Sequence, residues 1–427
     1  MQPSEPSTVS FAPAAIPSYP PPVSLPSDCG RSAQTYLESH GLVAEVPPSR
    51  ASDYSLCLSN PFQYYLTRRL GLVPMLSWSE ALSAGTWMHE RARYFFQSFP
   101  NGDLPAELNT ELQNQLDDRL TELRAACNTL SISPARENEI LEDERRAYAL
   151  GRAIFEAAIT FQFPSGETLL SKFQAPNRYR IALCEKKLTV THPKHGEVCC
   201  QPDLLLAEMT GNRCWIIDWK STGDTALNRL RACRTEQATY LYPYVVSEYL
   251  KNNELPYLSK GASVGGIIHV AIEKPGIRLS GEDRDFTIKD FTPRSGPNKG
   301  ITRQEKEYHG EPTFPNYLRR VTDWIHGSGT YTHERPARVA APPVNISTIY
   351  MNGISRDEWE RFDRRLSLNH HYAKCRAYPI NFPDNVGQLV AGDIPSAYHP
   401  FYHLPPARWP EVVVASKLIV ARREDGH

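Results

Sequence analysis

The sequence predicts an α/β protein in which a central sheet is flanked by helices. Three observations support this fold class. The chain has 427 residues, of which 41% are hydrophobic and 22% are charged, so it can bury the core of one large domain or two ordinary ones. Helical spacing of apolar residues dominates the chain from about residue 52 to about residue 160. Strand-like runs then begin and alternate with helix.

Residues 1–50 are predicted to form a flexible tail, because this segment is rich in Pro and Ser and lacks helical periodicity. A first helix pattern follows in YSLCLSNPFQYYLTRRLGLVP, which places Phe62, Tyr65 and Leu66 on one face. The helices predicted next are SWSEALSAGTWMHERARYFFQSF and two longer charged segments, Glu107–Asn128 and Glu137–Ile159.

Three successive strands are predicted after residue 178. Their sequences are YRIALCEKKLTVTH, EVCCQPDLLLAEM and RCWIIDWKST, and TGN forms the turn between the last two. Helix returns over Leu227–Leu250, and a further strand follows in SVGGIIHVAIEK. We therefore predict a core over residues 51–293 that contains a helical insertion. Residues 294–427 are predicted to form a C-terminal extension of irregular elements, and the sequence does not indicate its role.

Charge and cysteine content limit the classes of function. A net charge of -1 excludes a uniformly basic coat, so a polyanion would have to bind at a local basic patch. The nine cysteines show no C-x-x-C pair, and no apolar stretch is long enough to cross a bilayer. We expect reduced thiols, no membrane partner, and an intracellular, cytoplasmic location.

Two carboxylates are the strongest chemical signal. Asp203 ends the QPD segment of one predicted strand and Asp218 lies fifteen residues on in the next, so a hairpin would bring both to one end of the sheet. Two such oxygen ligands suit Mg²⁺ or Mn²⁺, and the backbone carbonyl of Trp219 can supply a further oxygen. Lys220 lies on the same face as Asp218, because strand side chains alternate, and there it can orient water and offset phosphate charge.

The order Pro202-Asp203, then Asp218-Trp219-Lys220, resembles the signature of PD-(D/E)XK nucleases. Two further motifs resemble the RecB-type branch: GTWMHE, residues 85–90, is similar to its G-x-x-x-H helix, and EQATYLYPY, residues 236–244, is similar to its Gln/Tyr helix. The segment SLCLSNPFQYYLTRRLGL is similar to the opening helix of that branch. The ordered set is more specific than any single motif.

This resemblance implies a restriction-endonuclease-like mixed sheet and a divalent-metal-dependent DNA nuclease, with exonuclease action in recombination, repair or phage DNA processing. The metal ligands it implies are His89, Asp203, Asp218 and Trp219, and the catalytic residues are Asp203, Asp218, Lys220, Gln237 and Tyr240. In relatives the Tyr often follows the Gln by four residues, which here gives Leu241 with a Tyr on either side. Glu185, in the first predicted core strand, stands where the family often has an acid.

The resemblance also bears on cofactors and partners. AddB and the CRISPR-adaptation nucleases of this branch hold an iron–sulfur cluster through one Cys before the core and three near the C-terminus. Here Asn60 precedes Pro61, Cys57 is offset, and only Cys375 follows Cys233. We expect Mg²⁺ or Mn²⁺ and no iron–sulfur cluster. The expected partners are single-stranded DNA or duplex ends and, because the chain has no P-loop, a separate helicase or recombination protein.

Two other functions fit the same residues. A protein that binds nucleic acid or a recombination partner without cutting would keep the fold, although two converging acids repel each other without a metal ion. A structure-specific or site-specific endonuclease would share the chemistry and differ in how it grips the substrate.

Overall fold

The structure is a computed structural model that describes residues 50–53, 64, 67–68, 72–74, 79–98, 106–173, 178–194, 196–297, 300–327, 342–374 and 418–420. The predicted tail, apart from Arg50, lies outside these ranges, and so do Phe62, Tyr65 and Leu66 of the predicted first helix.

The strands, in chain order, are β1 (Leu72–Pro74), β2 (Tyr179–Cys184), β3 (Leu188–His192), β4 (Gly196–Cys200), β5 (Leu204–Glu208), β6 (Arg213–Thr222), β7 (Ser263–Glu273), β8 (Asp285–Phe291), β9 (Arg303–His309), β10 (Val344–Tyr350) and β11 (Leu418–Val420). The helices are α1 (Glu80–Ser98), α2 (Ala106–Thr129), α3 (Pro134–Ile159), α4 (Leu169–Phe173), α5 (Ala226–Cys233), α6 (Ala238–Asn252), α7 (Phe314–His326) and α8 (Arg356–Lys374). Short 3₁₀ turns cover Gly281–Asp283 and Met351–Gly353. None of these described helices is long and apolar enough to span a bilayer.

A five-stranded mixed sheet forms the centre of the molecule, in the order β10-β7-β6-β5-β2. Strands β6 and β7 run parallel, whereas the other neighbouring pairs are antiparallel. The pairs β3–β4, β8–β9 and β1–β11 form separate two-stranded sheets. The predicted α/β fold class, a mixed central sheet flanked by helices, is confirmed, and this arrangement is restriction-endonuclease-like.

Alternation along β5 and β6 divides the core into two layers. Leu204 and Trp219 belong to the cluster on one face, with side chains of α1 and α3. Leu205 and Ile216 belong to the cluster on the other face, with side chains of α6. Because strand side chains point alternately to opposite faces, the continuous apolar runs of β5 and β6 fit a sheet that is covered on both sides.

Helix α1 lies unusually close to α3, and one glycine permits the approach. A Cβ atom at Gly151 would lie 2.5 Å from the carbonyl oxygen of Ala84 and 2.7 Å from Cβ of Trp87. The buried Arg91 of α1 also donates a hydrogen bond to Glu156 of α3, with Nη2 and Oε1 2.5 Å apart. These contacts fix the position of α1 over the sheet, and α1 carries His89.

Several elements differ from the sequence prediction. The first predicted strand divides into β2 and β3, and the second into β4 and β5, because residues 185–187 and 201–203 leave strand geometry. The backbone φ of Glu185 is +48°, which ends β2. The helix predicted over Leu227–Leu250 is interrupted between α5 and α6.

The C-terminal part of the chain contributes to the central sheet. Strand β10 lies beyond residue 294, in the segment predicted as an extension, and pairs with β7 from Val344↔Ile272 to Tyr350↔Gly266. The domain boundary between residues 293 and 294 remains a prediction. One edge strand of the central sheet, β10, lies C-terminal to that boundary.

Candidate active site

Three side chains from separate elements converge at one end of the sheet. Nδ1 of His89 lies 3.3 Å from Oδ1 of Asp203 and 3.4 Å from Oε1 of Glu185. One potential ligand atom from each of the three residues lies within 4.8 Å of the other two. One imidazole nitrogen and two carboxylates form a donor set that suits Mn²⁺ or Mg²⁺.

The β5–β6 hairpin positions Asp203. Leu204 pairs with Ile217, so Asp203, just before β5, stands beside Asp218 where the pairing of β5 with β6 ends. Oδ2 of Asp203 accepts a hydrogen bond from the backbone amide of Trp219 at 2.5 Å, which leaves Oδ1 to face His89. The hairpin predicted from the sequence therefore exists and brings Asp203 to β6.

Backbone hydrogen bonds position Glu185 just after β2. Its amide donates to the carbonyl oxygens of Pro202 and Asp203, at 3.1 and 3.2 Å. Nε2 of Gln201 donates to Oε2 of Glu185 at 3.2 Å, so Oε1 faces His89. The chain on either side of the hairpin thus places Glu185 beside Asp203.

The electrostatic state of this cluster follows from its charges. Burial lowers the pKa of His89, but the carboxylates of Asp203 and Glu185 outweigh burial and raise that pKa to about 10. Burial raises the pKa of Glu185, and its contact with His89 offsets part of that rise. Without a metal ion, a proton on His89 partly compensates the two carboxylates.

Asp218 lies next to this cluster but is not part of it. Its side chain is fully buried; Oδ1 accepts a hydrogen bond from Nζ of Lys220 at 2.8 Å, and Oδ2 lies 2.9 Å from Nδ1 of His269. Burial alone would raise the pKa of Asp218, but Lys220 and His269 together hold it well below its usual range. Burial lowers the pKa of Lys220, yet Asp218 and Asp203 shift it above its ordinary value.

The structure groups Glu185 with His89 and Asp203, two of the residues in the ligand set that the resemblance implies. The oxygens of Asp218 contact Lys220 and His269 here, and its role as a metal ligand stays a prediction. The predicted Lys220–Asp218 neighbourhood on one face of β6 is present. The ring of Trp219 packs in the core on the opposite face, stacked 6.1 Å from Phe96.

Two open cavities meet at the predicted catalytic lysine. The larger, of about 1510 Å³, contains the His89 cluster, and the smaller, of about 500 Å³, lies beside the start of α6. Both are lined by Lys187, Gln201, Lys220 and Tyr242. Among the basic residues noted in the sequence, Lys186 lines the larger cavity and Arg229 the smaller. The two cavities are therefore adjacent, and together they are called the groove.

Gln237 and Tyr240 occupy different environments. Gln237 is buried at the start of α6 and lines the smaller cavity. Tyr240 is turned toward α8: its ring stacks 6.1 Å from that of Phe362, and its hydroxyl donates to the carbonyl oxygen of Arg234 at 2.9 Å. The structure therefore does not bring Tyr240 to the site.

Tyr242 stands where Tyr240 was predicted to act. Its side chain lines both cavities, and burial together with the nearby Asp218 and Asp203 raises the pKa of its phenol far above the usual value. The phenol is therefore a neutral hydroxyl. Each helical residue turns the side chain by about 100°, so a shift of two positions changes the face entirely.

Sequence reasoning left out His269 and gave Glu185 no role. The signal for His269 is a single His within the apolar run GGIIHVAI, where a buried polar side chain requires a partner. Asp218 pairs with His269 in the parallel β6–β7 ladder. That pairing depends on which strands are neighbours, and no local pattern specifies it.

Comparison with known proteins agrees with this architecture. A scan against protein families matches the PD-(D/E)XK nuclease superfamily over residues 48–338, a segment that includes α1 through α7 and the strands that carry the site. A search of the curated proteins finds no match. Members of the superfamily are usually nucleases that use divalent ions such as Mg²⁺ or Mn²⁺. Since the match covers more than half of the chain, this protein belongs to the PD-(D/E)XK nuclease superfamily.

Proposed function

We propose that this protein is a divalent-metal-dependent deoxyribonuclease of the RecB type that hydrolyses phosphodiester bonds from DNA ends. The observation that carries the proposal is the convergence of His89, Glu185 and Asp203 beside the buried Asp218–Lys220 pair. A histidine from α1 in contact with the Asp of the PD motif is what the resemblance to RecB-type nucleases implies.

His89, Glu185 and Asp203 would hold the ion, with the charge of Asp218 close by. The donor set fits, because it combines one imidazole nitrogen with carboxylate oxygens that already lie within 4.8 Å of one another. A bound Mg²⁺ or Mn²⁺ would polarise the scissile phosphate and lower the pKa of the attacking water. The carbonyl of Trp219 is the further oxygen ligand that we propose.

Lys220 has the position and charge to act on the reacting groups. Lys220 lines both cavities, and the neighbouring carboxylates keep its side chain as an ammonium. There it would orient the attacking water and offset negative charge that develops on the phosphate. Gln237, which lines the smaller cavity, would brace the site and contact the strand.

The groove carries basic side chains beside acidic ones, in a chain whose overall charge is close to neutral. Lys186, Lys187 and Arg229 line it together with Lys220. Lysine and arginine side chains along a groove bind phosphates irrespective of sequence, which suits single-stranded DNA or a duplex end. A role in recombination, repair or phage DNA processing, with a separate helicase or recombination protein, fits this activity.

The test uses the full-length protein with end-labelled linear duplex, linear single strands and covalently closed circles, each in Mn²⁺, Mg²⁺ or EDTA. We expect nucleotides to be released from linear DNA when Mn²⁺ or Mg²⁺ is present. Closed circles should stay intact, and no cleavage should occur in EDTA. The matched control is Asp203→Asn, which removes one charge from the cluster at nearly constant volume.

Different outcomes would contradict different parts of the proposal. Cleavage of closed circles would replace the exonuclease by an endonuclease with the same chemistry. If the protein binds both Mn²⁺ and DNA but cuts none of the three substrates, it is a non-cleaving member of the superfamily.

A further inference from the structure

We propose that His269 is a positioning residue that fixes the carboxylate of Asp218 so that one of its oxygens faces the site. The inference rests on the nuclease function proposed above. It concerns a residue of β7 that belongs to none of the sequence motifs of the site.

The hydrogen bonds of His269 engage both ring nitrogens. Nδ1 lies 2.9 Å from Oδ2 of Asp218, and Nε2 lies 3.0 Å from Oγ1 of Thr239. The hydroxyl of Thr239 donates its hydrogen to the carbonyl oxygen of Cys233 at 2.5 Å. Oγ1 of Thr239 is thus the hydrogen-bond partner of Nε2. Because a carboxylate accepts only, the bond to Asp218 is donated by Nδ1–H.

The chain of contacts ties Asp218 to the start of α6. It runs from the backbone of Cys233 at the end of α5 through Thr239 and His269 to Asp218, and every side chain in it is buried. The Thr239 contact supports the ring of His269, and the bond from Nδ1 is the one that acts directly on Asp218. Outer partners of this kind orient the groups that contact a metal ion or substrate.

The two oxygens of Asp218 consequently have different surroundings. His269 holds Oδ2 on the buried side, whereas Oδ1 contacts Lys220, which lines both cavities. Asp218 can therefore turn only one oxygen toward the proposed ion. Without His269, the buried carboxylate would lose a partner on one side and could rotate about its side-chain bonds.

Two substitutions of His269 separate positioning from mere packing. In His269→Asn, the side-chain amide nitrogen takes the approximate place of Nδ1, so the bond to Asp218 survives and the bond to Thr239 is lost. In His269→Gln, the amide nitrogen takes the approximate place of Nε2, so the reverse holds. Both variants introduce a neutral amide into the same buried position. Thr239→Val is a third variant, which removes the hydrogen-bond partner of Nε2 and leaves His269 in place.

The measurements use the full-length protein: Mn²⁺ affinity by calorimetry, kcat and KM on linear DNA, and the melting temperature without metal. We expect His269→Gln to weaken Mn²⁺ binding and lower kcat by about 10- to 100-fold, with the KM for DNA unchanged. His269→Asn should keep both quantities within about threefold of the wild type, and Thr239→Val should do the same.

The proposal is overturned if His269→Asn and His269→Gln change Mn²⁺ affinity and kcat equally. This includes the case in which neither variant changes them and the case in which both lose Mn²⁺ affinity in proportion to the fall in melting temperature. His269 would then be a packed core histidine. The Mn²⁺ measurement is independent of cleavage: a wild-type protein that binds Mn²⁺ but cuts no DNA contradicts the nuclease proposal, while the Asn and Gln variants still decide the role of His269.

Discussion

Nδ1 of His89 lies 3.3 Å from Oδ1 of Asp203, although the two residues come from α1 and from the turn that precedes β5. The contact exists because α1 packs on α3 through Gly151 and crosses the end of the sheet where the β5–β6 hairpin opens. A helix far upstream in the sequence thereby completes a donor set that the hairpin alone lacks. The predictions below test this arrangement.

Loss of the His89 imidazole should affect the metal ion more than the DNA. His89→Ala removes the nitrogen donor and leaves Glu185 and Asp203 in place. We expect weaker Mn²⁺ binding by calorimetry and a fall in turnover of about 100-fold, with DNA affinity in Ca²⁺ nearly unchanged. The loss should be greater for Mn²⁺ than for Mg²⁺, because Mn²⁺ accepts imidazole more readily.

Leu82→Ala is the matched control for His89→Ala, since Leu82 lies on the same helix with 76% of its surface exposed. It should leave Mn²⁺ affinity and turnover unchanged. If His89→Ala behaves like Leu82→Ala, His89 is an ordinary helix residue, and the RecB-type assignment loses its main support.

Substitutions of Asp203 and Asp218 should differ in their effect on the free energy of unfolding. Both Asp203→Asn and Asp218→Asn should abolish cleavage, because each removes a carboxylate from the site. Asp218→Asn should also lower the free energy of unfolding by about 3–5 kcal/mol, because it leaves Lys220 and His269 around a neutral amide. In Asp203→Asn the amide oxygen can still accept the Trp219 hydrogen bond, so the loss should be about 1 kcal/mol or less. Urea denaturation measures both; equal losses would show that the Asp218 contacts contribute little.

Substitutions of Tyr240 and Tyr242, both in α6, should separate an effect on cleavage from an effect on stability. Tyr242→Phe removes a hydroxyl that faces the groove, and we expect the cleavage rate to fall by about tenfold, or about 1.4 kcal/mol of transition-state stabilisation. Tyr240→Phe removes a hydroxyl that contacts the carbonyl oxygen of Arg234 and Oε1 of Glu358, so it should cost about 1 kcal/mol of stability and leave the rate unchanged. Single-turnover cleavage and thermal melting compare them. The opposite result would restore the Tyr240 assignment.

Metal binding should depend on pH in a defined direction. The pKa of His89 is raised from 6.5 to about 10, so the metal-free protein carries this proton between pH 7 and 9. A metal ion must displace it, so apparent Mn²⁺ affinity should rise by about tenfold per pH unit across that window. Calorimetry in buffers of different ionisation enthalpy counts the released protons. On binding Mn²⁺, His89→Ala should release about one proton fewer than the wild type. Equal numbers of released protons would contradict a protonated His89 paired with Asp203 and Glu185.

The close approach of α1 and α3 should be sensitive to one methyl group. Gly151→Ala places Cβ against the backbone of Ala84, and this overlap should cost about 1–3 kcal/mol despite the better helix propensity of Ala. The shift of α1 should also reduce Mn²⁺ affinity. Gly85→Ala is the control, because its Cβ would meet only Oγ of Ser221 at 3.3 Å. Equal melting temperatures for the two variants would show that α1 can move without cost.

The sequence by itself determined the elements whose geometry is local. Alternation along a strand places Asp218 and Lys220 on one face, and the TGN turn pairs β5 with β6 so that Asp203 reaches the same end. Both relationships follow from periodicity and a short connection. The mixed sheet flanked by helices likewise followed from the order of the patterns and from the family resemblance.

The tertiary structure alone decided the relationships that join distant parts of the chain. Glu185 joins His89 and Asp203 because a positive φ turns it out of β2. His269 contacts Asp218 because β7 lies parallel to β6. The choice between Tyr240 and Tyr242 depends on where α6 begins, since each residue rotates the side chain by about 100°. Local patterns specify which face a side chain takes within its own element. Packing between elements specifies what that face meets, and here it decides which acid and which tyrosine line the cavities and which histidine contacts Asp218.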